Sequence, residues 1–248
     1  MRHIAYIGTS GWNYDHWKEI FYPKGFPASK WLEFYSQHFA TVEINFSFYR
    51  QPERATFEKW ARETPEDFTF AVKASRYLTH QKKLNDPEEP LERIIGNARG
   101  LGSKLGVVLY QLPPRWKVNV PRLRQFLSLL PRDVRHAMEF RDPSWLCDEV
   151  FDLLTEHSVA LCIMSAPDLP RVMKVTAPFV YARMHSGGAD TEGNYEEPML
   201  EWWAKQVTSF LESADVYVYF NNDYKGFALN NARRLIEMVS GLKSQVSG

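Results

Sequence analysis

Polar side chains stand at or just beyond the C-terminal ends of short apolar runs throughout this chain: Glu43 and Asn45, Lys73, Gln111, Glu139 and Arg141, Arg183 and His185, and Asn221 and Asn222. Gathered in one place, they could carry out general acid–base chemistry on an anion. Glu43 or Glu139 could take a proton as general base and His185 could give one back as acid, while Asn45, Asn221 and Asn222 orient the substrate through their amides. Lys73, Arg141 and Arg183 could hold a phosphate or a carboxylate, the arginines through two parallel N–H donors. Gln111 is the neutral donor of the set.

Each of these residues also has a plainer use. Glu139 and Arg141 can be a buried ion pair, since structural networks hold such charges too. Lys73 at a run's end can reach solvent, His185 alone can be a satisfied polar residue, and Gln111 beside Pro113-Pro114 can tie down a turn. Coincidence favours function: so many charges are costly to bury unless they are paired or wet. Aromatic residues in the same places divide in a similar way. Of Trp12, Trp17, Phe48, Tyr49, Trp116 and Trp145, most are expected to roof the fold. Trp12 and Tyr49 are the candidates to wall a pocket and stack on a flat ligand or a sugar face.

The runs themselves must do the gathering. Apolar and β-branched enrichment predicts strands at about residues 4–8, 41–46, 68–73, 105–112, 135–140, 159–164, 179–184 and 215–221. Helical patterns fall near 29–38, 54–63, 91–101, 120–130, 148–157, 199–212 and 228–240. Ser29 is placed to cap the first helix, Pro90 to open the third and Gly100 and Gly102 to close it, and Pro121 and Pro198 suit first turns where a missing amide donor costs nothing. Residues 165–178 hold three prolines, so an irregular connection is expected in place of a full sixth helix.

Strands alternating with helices imply parallel pairing with right-handed crossovers. The count of eight and the length favour an α/β fold of the TIM type, a (β/α)8 barrel occupying residues 1–248 as one domain. Gly8-Thr9-Ser10-Gly11 lacks the spacing of a nucleotide fingerprint, which weakens an open doubly wound sheet. In a barrel, alternation sends Val42, Ile44, Met138, Phe140, Val218 and Phe220 toward the helices, and Glu43, Asn45, Glu139, Arg141, Tyr217, Tyr219 and Asn221 inward. The polar set then shares the C-terminal rim, where such barrels keep their chemistry.

Composition narrows the function classes. The chain carries 30 basic and 30 acidic residues, a balance that counts against a general nucleic-acid or membrane-surface binder. Cys147 and Cys162 show no metal-ligand spacing, and two unclustered cysteines suit a reducing compartment. The first run begins at Ile4, leaving no room for a leader, and no run approaches membrane-spanning length, so a cytoplasmic protein is expected.

Several blocks together resemble a known family. Gly8-Thr9-Ser10-Gly11-Trp12 with Tyr14, Trp17 and Phe21-Tyr22-Pro23 resembles the opening of the YecE-like family, domain of unknown function seventy-two. Val42-Glu43-Ile44-Asn45 with Ser47-Phe48-Tyr49, Phe68-Thr69-Phe70 with Lys73, Gln111-Leu112-Pro113-Pro114, Glu139-Phe140-Arg141 with Ser144-Trp145, Arg183 with His185, and Phe220-Asn221-Asn222-Asp223 with Gly226, Ala228 and Asn231-Ala232 are similar to its later blocks, in order. The resemblance implies a TIM-type barrel of unestablished activity, similar in shape to endonuclease IV and xylose isomerase-like barrels. Ser165 and Ser186 stand where many members have an aspartate and a glycine.

Four functions compete. The first is an enzyme acting on a small anionic substrate, by hydrolysis, elimination or isomerisation. The second is a metal-dependent nucleic-acid or sugar-processing enzyme like endonuclease IV. His185, Glu43, Glu139 and Asp223 are too few for a trinuclear zinc site. No cofactor and no metal ligand set is evident, although one loosely held divalent ion stays open. Nucleic acid is not the favoured partner, and the oligomeric state is undetermined. The third, a retaining glycosidase, needs two carboxyl groups about 5–5.5 Å apart, and Glu43 and Glu139 come from strands well separated around a barrel. The fourth is a non-catalytic binding or scaffold protein, whose rim charges would all be mutually paired. The enzyme reading also expects Glu139→Gln to leave the fold intact.

Overall fold

A computed structural model describes residues 3–246 of the chain; residues 1, 2, 247 and 248 of the expected span lie outside the described residues. The strands are β1 (Ala5–Ser10), β2 (Thr41–Ile44), β3 (Thr69–Lys73), β4 (Leu105–Gln111), β5 (Arg135–Glu139), β6 (Ala160–Ser165), β7 (Phe179–Met184) and β8 (Asp215–Phe220). Each pairs in parallel with its sequence neighbours, and β8 returns to β1 to close a barrel. The α-helices are α1 (Trp31–Ser36), α2 (Phe46–Tyr49), α3 (Arg54–Arg62), α4 (Glu88–Ala98), α5 (Val120–Ser128), α6 (Asp148–Glu156), α7 (Glu197–Phe210) and α8 (Phe227–Val246). No described helix is long and apolar enough to cross a membrane.

Local chemistry sets most boundaries. Pro121 and Pro198 are second residues of α5 and α7, and Asn119 Oδ1 caps α5 by accepting from Arg122 N at 3.0 Å. Ser29 does not cap α1: it lies inside a 3-10 turn, Ala28–Lys30, that follows Pro27 and has no side-chain cap. β2 stops at Ile44 because Asn45 already has helical dihedrals and leads into the one-turn α2. No helix joins β6 to β7. The connection is pinned instead by Thr176, whose Oγ1 accepts from Leu161 N at 2.8 Å and donates to Val159 O at 2.7 Å.

Period-two alternation divides the core. Val42, Ile44, Val218 and Phe220 pack in one cluster against the helices, and Met138 and Phe140 in another. The lumen is a third cluster that includes Ala71, Leu109, Ala137, Cys162, Tyr181, Tyr217 and Tyr219. At its N-terminal end Arg135 closes the barrel, donating to Tyr217 Oη at 2.7 Å and to Asp215 Oδ2 at 3.0 Å. β1 and β2 approach closely: a Cβ added to Gly8 would lie 2.3 Å from Thr41 O. At the C-terminal end the lumen rows continue into Glu43, Lys73, Gln111, Glu139 and Arg183, each two residues beyond a lumen residue of its own strand.

Candidate functional site

The floor of the rim is a three-residue charge bridge. Arg183 donates from Nη2 to Glu43 Oε1 and from Nη1 to Glu139 Oε2, both at 2.7 Å, and all three side chains are buried to 1% exposure or less. Glu43 Oε1 also accepts from Ser10 Oγ, and its Oε2 accepts from Tyr181 Oη at 2.5 Å. Glu139 Oε1 accepts from Gln111 Nε2 at 2.7 Å and from Arg141 Nε. Burial by itself would raise the Glu139 pKa, but Arg183, His185 and Arg141 outweigh it and hold the carboxyl well below its usual range.

Glu43 and Glu139 do come from separated strands, yet both point at the axis of a narrow barrel and share one guanidinium. Arg183 is likewise not the open anion fork expected of it: both terminal nitrogens are spent on carboxylates, and Nε is buried without a partner.

Above this floor lie Arg141, His185 and Lys73. Arg141 is partly exposed, and its Nη2 lies 2.9 Å from His185 Nε2, which is itself 3.3 Å from Glu139 Oε1. Burial lowers the His185 pKa against the opposing pull of Glu139, with Arg183 and Arg141 adding to the lowering, so the ring is neutral near pH 7. Lys73 is 8% exposed, and its Nζ lies 4.3 Å from the centroid of the Phe48 ring. It makes no ion pair among the described residues. Burial first and Arg183 second bring its pKa down to about 8, although Glu139 and Glu43 oppose them. With two carboxylates already matched by two arginines, Lys73 is the excess positive charge.

The asparagines separate. Asn45 and Asn221 are half-buried at the rim, and the Oδ1 of each lacks a hydrogen-bond partner. Asn222 is turned away by strand alternation: its Nδ2 donates to Gly193 O at 3.0 Å and to Asn231 Oδ1 at 2.8 Å, fastening the β8 end to α8. Asp223 accepts from Trp17 Nε1 at 2.8 Å and meets His16 Nε2 at the same distance. Trp17, Phe48 and Trp145 are buried cover, as the roofing role requires. Trp12 is half-buried, packed edge-on against Trp60 at 5.2 Å, and Tyr49 is 79% exposed. Both line a cavity of about 340 Å³ with Asn45 and Phe46. A second cavity, of about 470 Å³, opens beside Gln111 and Arg141.

Ser10, Tyr181 and Trp60 escaped the sequence reading. Tyr181 carried a usable signal, standing two residues before Arg183 on the same strand face. Trp60 carried none, since only tertiary packing brings α3 beside the first loop. Among the described residues, no group of three or more histidines, cysteines or carboxylates is arranged to hold a metal ion.

Residues 6–247 match the family described as "Protein of unknown function DUF72". The sequence is 30% identical to the UPF0759 protein YunF of Bacillus subtilis over 272 aligned positions, covering 95% of each chain. It is 28% identical to the UPF0759 protein YecE of Escherichia coli over 143 positions, which are 57% of this chain and 50% of that one. A crystal structure of a DUF72 family protein from Thermotoga maritima superposes with a TM-score of 0.86 at 30% identity, covering 96% of this chain and 100% of that one. One from Enterococcus faecalis gives 0.82 at 21% identity with 96% of each covered, a likeness of fold.

Proposed function

This chain belongs to the DUF72 family, and on that premise we propose that its rim is the site of an enzyme that binds a small phosphate- or carboxylate-bearing substrate and transfers a proton on it. Lys73 and the outward edge of Arg141 take the anion. Lys73, charged below pH 8, can also give up a proton, and neutral His185 can accept one. The oxygens of Glu43 and Glu139 are already engaged, so in this reading the two side chains preorganise Arg183 and Arg141.

One observation carries the reading: a desolvated lysine without a carboxylate partner sits on a layer of otherwise matched charges. A buried unmatched cation costs stability, and an incoming anion is what would offset that cost. The scaffold reading draws its own support from Glu139, which has an arginine on each oxygen, but it leaves Lys73 unexplained. A metal-dependent nuclease would need as ligands the carboxylate oxygens that Arg183, Arg141 and Tyr181 occupy.

The test is a thermal-shift comparison of the protein and Lys73→Met across phosphorylated and carboxylated metabolites, because a ligand of the native state raises its melting temperature. The expected result is a rise of several degrees with one chemical subset, absent in the variant. No rise with any anion, or an equal rise in Lys73→Met, would overturn the reading.

A further inference from the structure

We infer that the anion this rim takes is a nucleoside phosphate, its base stacked in the aromatic cavity beside β1 and β2 and its phosphate reaching Lys73 through an adjoining cavity lined by Arg76 and Arg93. The inference rests on the anion-binding reading above and names the substrate class for it.

The base side is the cavity of about 340 Å³ lined by Trp12, Phe46, Tyr49 and Trp60. Phe46 is 56% and Tyr49 79% exposed, large rings left in solvent beside one another on the single turn of α2. Stacking faces of this kind suit any flat heterocycle. A sugar alone fits less well, because each hydroxyl needs a polar partner and the walls offer little beyond the amides of Asn13 and Asn45. Asn45 lines this cavity, and its Oδ1 is buried without a hydrogen-bond partner.

The phosphate side is a cavity of about 380 Å³ on the other side of Tyr49, which lines both. Arg76 and Arg93 line it, and neither makes an ion pair among the described residues; one carboxylate, Glu89, lines it as well, leaving one positive charge in excess. Phe48 lines this cavity too, and its ring carries the Lys73 ammonium, so the arginine cavity adjoins the rim. An aromatic seat and a cationic seat joined through Tyr49 match the two ends of one nucleotide.

Tryptophan fluorescence and calorimetric titrations of the full chain would test this with adenosine monophosphate, adenosine, ribose 5-phosphate and a short single-stranded oligoadenylate. Adenosine monophosphate should bind at least about tenfold more tightly than ribose 5-phosphate, the scale of one stacked base. Phe46→Ala should abolish that difference, Arg76→Gln should weaken adenosine monophosphate more than adenosine, and Lys73→Met should bring adenosine monophosphate down to the affinity of adenosine. The Phe46 and Arg76 side chains are exposed, and Tyr49→Ala provides a second variant that should weaken both seats. Preference for the oligoadenylate would identify a strand as the source of the nucleotide, and preference for the mononucleotide a free one. Equal affinities for adenosine monophosphate and ribose 5-phosphate, insensitive to Phe46→Ala, would overturn the nucleoside inference while leaving the anion site standing. No binding of any phosphorylated probe, together with no effect of Lys73→Met on melting, would overturn both.

Discussion

Arg183 of β7 and Glu139 of β5 meet inside the barrel at 2.7 Å, neither more than 1% exposed. The guanidinium is shared with Glu43, so three charges from β2, β5 and β7 are locked into one layer beneath the rim. Removing one partner from such a layer strands an uncompensated buried charge, at a cost of about 3–5 kcal/mol. Glu139→Gln is therefore expected to destabilise the fold by several kcal/mol in urea denaturation, whereas the sequence alone suggests a variant that loses activity and keeps its fold. A loss below about 1 kcal/mol would mean the layer is wetter or looser than its geometry indicates.

Anion binding should titrate with Lys73. Its pKa is lowered to about 8, so the ammonium is present below pH 8 and lost as pH rises through that value. Affinity for the stabilising anion should fall by about tenfold per pH unit above 8. Lys73→Arg keeps its charge throughout, so its affinity should stay flat over the same range. An alkaline limb that persists in Lys73→Arg would assign the titration to another group.

Acid should find a separate weak point at His136. Burial brings its pKa down to about 4, against hydrogen bonding to Pro131 O and the charge of Asp133. The unfolded chain takes up this proton near pH 6.5 and the folded one only near pH 4, so stability is complete above 6.5 and declines as pH falls between those values. The full effect is about 3 kcal/mol. His185 titrates in the same direction, so the comparison must be with His136→Gln, whose denaturation midpoint should vary less across this window. Identical pH profiles for the two proteins would remove His136 from the account.

Asn222 should behave as a fastener. Asn222→Ala deletes the two bonds to Gly193 O and Asn231 Oδ1, which keep their other donors, Gly187 N and Tyr195 N, at a cost of about 1–3 kcal/mol for the pair. Anion affinity of the folded variant should be unchanged, because the side chain points away from the rim. A tenfold loss of affinity without loss of stability would return Asn222 to the binding set.

The sequence by itself determined the repeat of eight strands, the lack of a helix between β6 and β7, and the face on which each strand presents its residues. These are local matters: Pro121 and Pro198 are compatible only with a helix's first turn, the prolines of 165–178 are incompatible with a helix interior, and alternation puts Glu139 and Met138 on opposite faces regardless of neighbours. Only the tertiary structure decided which of those inward residues meet. That Glu43 and Glu139 share Arg183, that Lys73 is left over, and that Trp60 walls the same cavity as Trp12 depend on closing the sheet around an axis. Closure brings side chains from distant strands within bonding distance, and spacing along the chain carries no record of that distance.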